Sequence, residues 1–366
     1  MPRVVGIDPG TLSFDLFGLD DGRPFLDESL PSADVARSPT ALIERLRAVS
    51  PLDLVVAPSG YGLPLVPVSQ VTDDQLDLCI LATAGDRDQP ELVGALRPVV
   101  GLMRSLGLPG VLVPGVIQLP SVPSHRKVNR IDMGTADKVC AAALAIQDQV
   151  RRLGVAPAAT NLILVELGGA FTAAVAVAEG RIVDGIGGTS GGLGYRALGT
   201  LDGEVAYALG RVRKATLFSG GVAFIAGEPD LSPEALATRA ALDGRARLAW
   251  DAFLESVEKM VAALRVSAPA AREVILSGRL TRVDLVVEAL TARLSGGGPV
   301  RVLEGFTATG KEAAQGAALI ADGLAGGGAR ALVEALGLRG ASGTILDHLY
   351  VAGADAIREQ FGVRPR

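Results

Sequence analysis

Two acidic residues in this chain, Asp8 and Glu166, stand in the same chemical setting. Each ends an apolar run and is followed two positions later by a glycine, in GIDPGT and in VELGGAFT. A carboxylate at a strand end suits hydrated Mg²⁺, which prefers oxygen ligands and keeps several waters. A glycine beside it lets backbone N–H groups approach a phosphate chain, because no Cβ stands in the way. The pattern therefore predicts two turns that bind the phosphates of a nucleotide.

The two turns belong to a longer internal repeat. VVGIDPGTLSFDLFGLDDGR aligns without a gap on LILVELGGAFTAAVAVAEGR, which places Asp8 on Glu166 and Gly10 on Gly168. An Asp-Gly pair between apolar runs is a strong hairpin signal, and a repeat of this length indicates a duplicated structural unit. Two such turns facing each other would hold the β- and γ-phosphates from both sides. The alternative is a pair of ordinary hairpins whose acids only cap turns.

Length, composition and charge exclude several classes of protein. The 366 residues predict two domains, and 49 % hydrophobic against 20 % charged residues predict an ordered chain. The net charge of −5 and the lack of a basic stripe argue against nucleic-acid binding. Apolar runs stop well short of the roughly 18 residues that a membrane helix needs. Cys79 and Cys140 have neither metal-site nor disulfide-framework spacing. We expect a cytoplasmic protein without nucleic-acid or membrane partners, and a homodimer stays an open alternative.

The remaining pattern predicts alternating strands and helices in the first half. The expected elements are strands to about Asp27, a helix near 39–50, a strand from Asp53, a loop-like Pro-rich stretch at 60–68, a helix over 91–106 and strands around 111–118. A polar, basic and irregular segment at 121–134 leads into a helix that stops at Gly154.

The second half continues with helices over 233–241 and 246–266, the latter carrying Trp250 and Phe253 on its apolar face. REVILSGRLTRVDLVVEALTARL then predicts a strand, a Ser-Gly turn and a helix. The glycine-rich run at 186–199 is either a flexible linker or a loop that faces a substrate.

In this order the pieces resemble the five sequence motifs of the actin-like ATPase superfamily, which includes sugar kinases, acetate kinase, heat-shock chaperone ATPases and actin. The resembling segments are the two phosphate motifs GIDPGT and VELGGAFT, the connecting helices GTADKVCAAALAI and TGKEAAQGAALIADG, and the adenosine motif VILSGRLTR. More narrowly, DPGTLSFDLFGL together with VNRIDMGTADK resembles the family labelled predicted butyrate kinases.

The resemblance implies an α/β fold of two duplicated actin-like (ribonuclease H-like) domains with a nucleotide cleft between them. The implied N-terminal domain is 1–155, the C-terminal domain is 156–308, and 309–366 forms the second connecting helix and a helical tail that returns to the N-terminal domain. Small residues on the connecting helices, such as Ala141 and Gly316, favour a close helix crossing, although Ala-rich helices are also common for other reasons.

ATP and Mg²⁺ are the cofactors that the resemblance and the turn chemistry imply. Asp8 and Glu166 would hold the metal through water, because Mg²⁺ keeps part of its hydration. The predicted nucleotide contacts are Gly10, Thr11, Gly168, Gly169, Thr172, Ser277, Gly278, Arg279 and Gly316. A competing adenosine loop, Ser219-Gly220-Gly221, also follows an apolar run, and the choice between the two loops stays open.

The phosphoryl acceptor is predicted from the cations near the sites. A hydroxyl acceptor needs a general base, whereas a carboxylate is already ionised and needs positive charge to hold it. His125 and Arg130 lie in a basic segment shortly before Asp137, which would orient the nucleophile or a metal-bound water. The alternatives are a solvated basic loop and an acid stabilised by the helix dipole.

These residues predict an ATP-dependent kinase of a small, butyrate-like carboxylate that forms an acyl phosphate. Its catalytic residues would be Asp8, Glu166, Asp137, Arg130 and His125. The alternatives are an ATPase switch that regulates a partner through domain closure, a sugar or alcohol kinase, and a non-catalytic filament or scaffold protein.

Overall fold

The chain divides into two units whose residues interleave along the sequence. The structure, a computed structural model, describes residues 2–10, 12–57, 60–83 and 95–364. Unit 1 comprises residues 1–160, 179–182 and 304–366, and unit 2 comprises 161–178 and 183–303. The main boundaries therefore fall at 160 and 303, where the sequence placed them at 155 and 308.

Each unit is built on one β-sheet. In the described part of the chain the strands are β1 (Arg3–Pro9), β2 (Ser13–Asp20), β3 (Arg23–Pro31), β4 (Leu54–Val56), β5 (Gly62–Pro67), β6 (Gly110–Pro114), β7 (Leu162–Leu167), β8 (Thr172–Ala178), β9 (Arg181–Ile186), β10 (Val274–Ser277) and β11 (Val300–Val302).

Helices cover the sheets and fill the connections. Over the same described residues they are α1 (Ser32–Arg37), α2 (Thr40–Ala48), α3 (Asp73–Ile80), α4 (Leu96–Ser105), α5 (Ser124–Lys127), α6 (Ala136–Leu153), α7 (Gly203–Leu209), α8 (Val222–Ile225), α9 (Pro233–Arg239), α10 (Gly244–Ser267), α11 (Asp284–Leu294), α12 (Glu312–Leu324), α13 (Arg330–Leu336) and α14 (Ala354–Gln360). None of the helices described here is both long enough and apolar enough to span a bilayer.

The two sheets share one strand order. In unit 1 the order is β3-β2-β1-β4-β6-β5, and in unit 2 it is β11-β10-β7-β8-β9. In both, the first strand pairs antiparallel with the second and parallel with a later strand that returns after a helix. The predicted α/β fold with a duplicated unit is therefore confirmed, and unit 1 adds the antiparallel edge strand β5.

The hairpins that the repeat predicted are equivalent residue by residue. Asp8 pairs with Asp15 across β1 and β2, and Glu166 pairs with Ala173 at the corresponding place across β7 and β8. The turn of each hairpin is closed in the same way, because the Gly10 N–H donates to the Ser13 carbonyl at 2.9 Å and the Gly168 N–H donates to the Phe171 carbonyl at 2.9 Å. The ungapped alignment therefore describes one backbone built twice.

The far end of each hairpin is also the same. Asp21 and Glu179 adopt positive φ angles of 52° and 51°, and the glycines that follow them, Gly22 and Gly180, have φ of 72° and 73°. Two consecutive residues with positive φ form the tight turn that an acid-Gly pair favours.

Apolar side chains fix each sheet against its helices. In unit 1, β1 is buried on both faces, with Val4 and Val5 both at 0 % exposure. One face of the sheet forms a core with α1 to α4, which includes Leu42 and Met103. In unit 2, α10 packs on the sheet through Phe253, and Trp250 lies partly buried at its border, as predicted.

The two connecting helices of unit 1, α6 and α12, cross at very short distance. A Cβ at Gly316 would overlap the backbone carbonyl of Cys140 on α6, and a Cβ at Gly6 of β1 would overlap the backbone of α12 at Ala314 and Ala318. The small residues on these helices therefore serve close backbone packing, as the sequence predicted.

Several predicted elements were wrong in detail. The Pro-rich stretch at 60–68 is not a loop, because β5 occupies Gly62–Pro67; an edge strand tolerates Pro64 and Pro67, whose missing N–H groups need not enter a ladder. β3 runs to Pro31, and β6 ends at Pro114, after which 116–118 form a 3₁₀ turn. The helix predicted over 91–106 spans Leu96–Ser105 in the described part, and residues 91–94 lie outside it.

Candidate active site

Ser32 supports the backbone of the first turn, in unit 1. Asp8 lies at the end of β1 and is 6 % exposed. Ser32, which follows β3, donates its hydroxyl to the Gly10 carbonyl at 2.7 Å and its N–H to the Leu12 carbonyl at 3.0 Å. These bonds fix the backbone that follows Asp8. Thr11, predicted to contact phosphate, lies outside the described residues.

A buried ion cluster lies against this turn. The ammonium of Lys311 is 2.8 Å from Asp15 Oδ2 and 3.4 Å from Asp8 Oδ2, and it donates to the Ser13 carbonyl at 3.0 Å. The Ser13 hydroxyl also donates to Asp15 Oδ2, at 2.8 Å. The sequence analysis missed Asp15 and Lys311, although both lie in segments that carry the motifs. One signal was available, since a lysine directly before a helix breaks the usual preference for a capping side chain.

Burial and neighbouring charges change the proton affinity of this cluster. Burial raises the pKa of Asp8 to about 6, Lys311 opposes that rise, and the charge of Asp137 adds to it. Burial alone would lower the pKa of Lys311, but Asp8 and Asp15 outweigh it and raise that pKa above its usual range. Unit 1 therefore brings Asp8 and Asp137 within electrostatic range of each other.

Asp137 stands in the first turn of α6 with two donors of its own. The Thr135 hydroxyl donates to its Oδ1, and Lys138 Nζ lies 2.5 Å from its Oδ2. Burial raises the pKa of Asp137, but Lys138 and the Thr135 hydroxyl outweigh burial and leave that pKa below its usual range. Lys138 thus forms an ion pair with Asp137, and Asp137 is held in its ionised form.

The second turn, in unit 2, gathers Glu166 with the Ser-Gly loop. Glu166 is the parallel-strand neighbour of Ser277 on β10. Gly278 has a φ of +90°, and a Cβ there would lie 3.0 Å from Glu166 Oε1 and 2.6 Å from the Leu167 carbonyl. A Cβ at Gly168 would lie 2.8 Å from the Phe171 carbonyl and 3.2 Å from Glu166 Oε1. Both positions therefore require glycine beside the carboxylate.

Thr172 and Gly169 belong to the same turn. The side chain of Thr172 is completely buried, and its hydroxyl has no hydrogen-bond partner among the residues that the structure describes. Gly169 is half-buried between Gly168 and Ala170. The turn thus has a hydroxyl whose bonding capacity is unused.

The glycine-rich run at 186–199 is packed against this turn and is not a flexible linker. The N–H groups of Arg196 and Ala197 both donate to the Ala170 carbonyl at 3.1 Å. A Cβ at Gly194 would overlap that same carbonyl oxygen, so the absence of side chains permits the contact. The run therefore supports the second turn as Ser32 supports the first.

The two candidate adenosine loops lie in different surroundings within unit 2. The 219–221 loop joins the glycine-rich run, because the Gly221 N–H donates to the Arg196 carbonyl at 3.1 Å. The 277–279 loop adjoins Glu166 directly, and Arg279 is exposed. The expected helix after this loop does not start at once, because a 3₁₀ turn at Arg279–Arg282 precedes α11. The N-terminus of α11 therefore lies at Asp284 and not directly after the Ser-Gly turn, where the sequence predicted the helix.

The basic segment before Asp137 is ordered rather than irregular. It contains the helical turn α5, on which His125 is exposed, and Arg130 is exposed shortly after it. Lys127 points inward and donates to the Leu119 carbonyl at 3.0 Å, and burial lowers its pKa. Asn129 is tied to the C-terminal part of the chain, since its N–H donates to the His348 carbonyl at 2.8 Å and its side chain accepts from the Tyr350 N–H at 2.6 Å.

Gly316 has a packing role that the sequence analysis did not separate from ligand binding. The residue lies buried on α12 against the Cys140 carbonyl of α6. Its predicted contact with nucleotide stays a prediction.

Each unit by itself has residues that fit part of a magnesium-bound nucleotide. Unit 1 has the buried carboxylate of Asp8 and a glycine at 10 whose Cβ would fill the turn. Unit 2 has a glycine at 168 with the same property and the unused hydroxyl of Thr172. Among the described residues no group of three or more His, Cys, Asp or Glu side chains is placed to hold a metal ion.

Comparison with solved structures identifies the fold. The chain is similar to a propionate kinase from Francisella tularensis subsp. tularensis SCHU S4, with a TM-score of 0.61, 15 % identity, and coverage of 86 % of this chain and 99 % of that one. It is similar to acetate kinase from Entamoeba histolytica, with a TM-score of 0.59, 10 % identity, and coverage of 80 % and 86 %. A putative N-acetylmannosamine kinase from Listeria monocytogenes matches with a TM-score of 0.51, 13 % identity, and coverage of 91 % and 99 %. The fold is therefore that of the actin-like ATPases.

A search of curated proteins gave no match to this chain. A family model does match it, over residues 6–351. That range includes both hairpins, Asp137 and Lys311. The chain thus belongs to the family described as "Protein of unknown function (DUF1464)".

Proposed function

We propose that this protein is an ATP-dependent phosphotransferase whose acceptor is a small carboxylate. The observation that carries the proposal is the pair of equivalent turns, each with a carboxylate at the end of the first strand and a glycine N–H closing the turn at 2.9 Å. A structural hairpin has no need of an acid and a glycine at these two positions in both copies. Phosphate binding explains both features, because it uses backbone N–H groups and a metal-binding carboxylate.

Phosphoryl transfer requires mainly positioning and charge stabilisation. The proposal assigns Gly10 to the phosphate end of the nucleotide in unit 1, and Gly168 and Gly169 in unit 2. Asp8 is the carboxylate in unit 1 that would hold Mg²⁺ through water, and Glu166 is its counterpart in unit 2; the metal would supply positive charge to the phosphate oxygens. Asp137, kept ionised by Lys138 and Thr135, would orient a metal-bound water.

The basic segment that precedes α6 supports a carboxylate acceptor. His125 and Arg130 both lie exposed on a segment whose backbone is fixed to residues 348–350. In the reaction a carboxylate oxygen attacks the γ-phosphorus, the bond from that phosphorus to the ADP oxygen breaks, and an acyl phosphate and ADP result. Two of the similar structures carry the names acetate kinase and propionate kinase, so acetate, propionate and butyrate are the first acceptors to test.

A hydroxyl acceptor is the second candidate, and the state of Asp8 favours it. Burial raises the pKa of Asp8 to about 6, which is near the operating pH that a general base requires. A sugar or alcohol would then lose its proton to a carboxylate of the first turn.

One experiment separates these functions. ADP release from Mg-ATP is measured with and without each acceptor, and hydroxylamine traps any acyl phosphate as a hydroxamate. We expect ADP and hydroxamate to form together with short-chain carboxylates. ADP release with sugars and no hydroxamate supports the second candidate. ATP hydrolysis that no acceptor changes contradicts both and supports a regulatory ATPase.

A further inference from the structure

We propose that Lys311 contacts the transferred phosphate of ATP from unit 1. This inference rests on the proposed function and adds to it a cationic binding residue, which lies in the segment of the second connecting helix.

Lys311 occupies a position where lysine is disfavoured. It is the N-cap of α12, it makes no side-chain cap, and the helix dipole opposes a positive charge at that end. A Cβ at Gly10 would overlap the lysine Nζ, so the ammonium lies directly on the backbone of the first turn. A residue that breaks a local preference and reaches a candidate site is expected to serve that site.

The segment before Lys311 is held by one buried side chain. Gln315 is completely buried, and its Oε1 accepts from the Phe306 N–H at 2.6 Å. Its Nε2 donates to the carbonyls of Thr307 at 3.0 Å and Gly310 at 2.8 Å. The lysine backbone is therefore fixed, and a fixed support is what precise placement of a binding group requires.

The three contacts of the ammonium are unequal. Asp15 at 2.8 Å and the Ser13 carbonyl at 3.0 Å are ordinary bonds, whereas Asp8 at 3.4 Å is the longest. Asp8 is also the carboxylate assigned to the metal. When Asp8 serves the metal, Lys311 keeps two anchors and has one N–H for a phosphate oxygen. Lysine binds phosphate as a point charge in this way. Its side chain is 24 % exposed, so the group is accessible to a ligand.

A purely structural role is the competing explanation. In that case Lys311 only neutralises two buried carboxylates, and its loss destabilises the fold without distinguishing one nucleotide from another. The two explanations differ in the ratio of ATP to ADP affinity.

The test measures binding of Mg-ATP and Mg-ADP by calorimetry, together with thermal unfolding. The proteins are the wild type, Lys311→Met, Asp15→Asn/Lys311→Met and the control Lys259→Met, whose lysine forms an exposed i,i+4 pair with Glu255. We expect Lys311→Met to weaken ATP binding about 30-fold and ADP binding much less, because a bond to a charged group is lost. The double variant should regain thermal stability without regaining the preference for ATP.

An unchanged ratio of ATP to ADP affinity in Lys311→Met overturns the inference. A wild-type ratio in the double variant Asp15→Asn/Lys311→Met overturns it as well. If Lys311→Met does not fold, the double variant gives the answer alone. A wild type that binds neither nucleotide overturns the proposed function as well. A wild type that binds both while the ratio stays constant across the variants overturns this inference only.

Discussion

The two turns share a backbone but differ in what surrounds their carboxylates. Position 15 of the first hairpin is Asp, and the equivalent position 173 of the second is Ala. The first turn therefore has a buried ion cluster with Lys311, whereas the second has the aromatic side chain of Phe171, whose ring lies 5.2 Å from that of Phe218. The repeated hairpin backbone fixes the positions of the acid and the glycine in each turn. The neighbouring side chains determine the net charge around each carboxylate.

The supports of the two turns are also comparable. The carbonyls at the equivalent positions Leu12 and Ala170 each accept a backbone N–H from a segment that follows the third strand of their unit, at 3.0 Å from Ser32 and 3.1 Å from Ala197. Backbone hydrogen bonds thus support both turns, and in the first turn Lys311 adds a side-chain bond to the Ser13 carbonyl.

Removal of either carboxylate is expected to have the largest effect. Asp8→Asn and Glu166→Gln are each expected to lower kcat about 10³-fold, because each removes a negative charge that would hold the metal in place. Steady-state ADP release measures the effect, with circular dichroism as a control for folding. Near-normal turnover of Glu166→Gln beside an inactive Asp8→Asn would restrict the nucleotide role to the first turn.

Side chains added at the turn glycines test whether both turns bind phosphate. Gly168→Val should weaken ATP binding about 100-fold, because the new side chain meets the Phe171 carbonyl, which is backbone and cannot move aside. Gly10→Val should have a comparable effect, since its Cβ would meet the equivalent backbone carbonyl of Ser13 at 2.9 Å as well as the ammonium of Lys311. Binding is measured by calorimetry, with Gly101→Ala as control because a Cβ there meets nothing. Unchanged affinity of Gly168→Val would remove that turn from the site.

The helices that lie behind the first turn give a third test. Gly316→Ala should lower the free energy of unfolding by about 2 kcal/mol, because the added methyl overlaps the Cys140 carbonyl and the two helices must separate. Urea unfolding measures this change. Gly101→Ala is again the matched control and should be neutral or slightly stabilising. Equal free energies of unfolding for the two variants would show that α6 and α12 have room for a methyl group at Gly316.

The smallest effect concerns the charge on Asp8. The pKa of Asp8 is raised from 3.8 to about 6, so the folded state binds this proton more tightly than the unfolded chain does. The stabilisation is complete below pH 4 and is lost as the pH rises through 6. Asp8→Asn removes this dependence, so its stability relative to wild type should rise by about 1.5 kcal/mol between pH 5 and pH 7.5. Urea unfolding at both pH values measures the difference, and a constant difference would contradict the buried charge.

Local patterns in the sequence predicted the duplicated hairpins, because apolar alternation and acid-Gly turns are encoded within 20 residues. The same holds for α6, which ends at Gly154 in a left-handed conformation. Long-range effects were not predictable in this way. β5 forms despite its prolines because it lies at a sheet edge, and the Asp15–Lys311 pair joins residues that no local pattern connects. The role of the glycine-rich run was likewise hidden, since its packing partner, Ala170, lies in another element.

Unit 1 is discontinuous in the chain, and this has a consequence for how the protein is made. Lys311 and the Ser13 carbonyl that it contacts are 298 residues apart, and Tyr350 and Asn129 are 221 apart. Chains emerge from the ribosome N-terminus first at about 5–20 residues per second. The part that is translated first must therefore wait for the final stretch before its charged centre is assembled, while the intervening unit 2 has all of its residues available earlier.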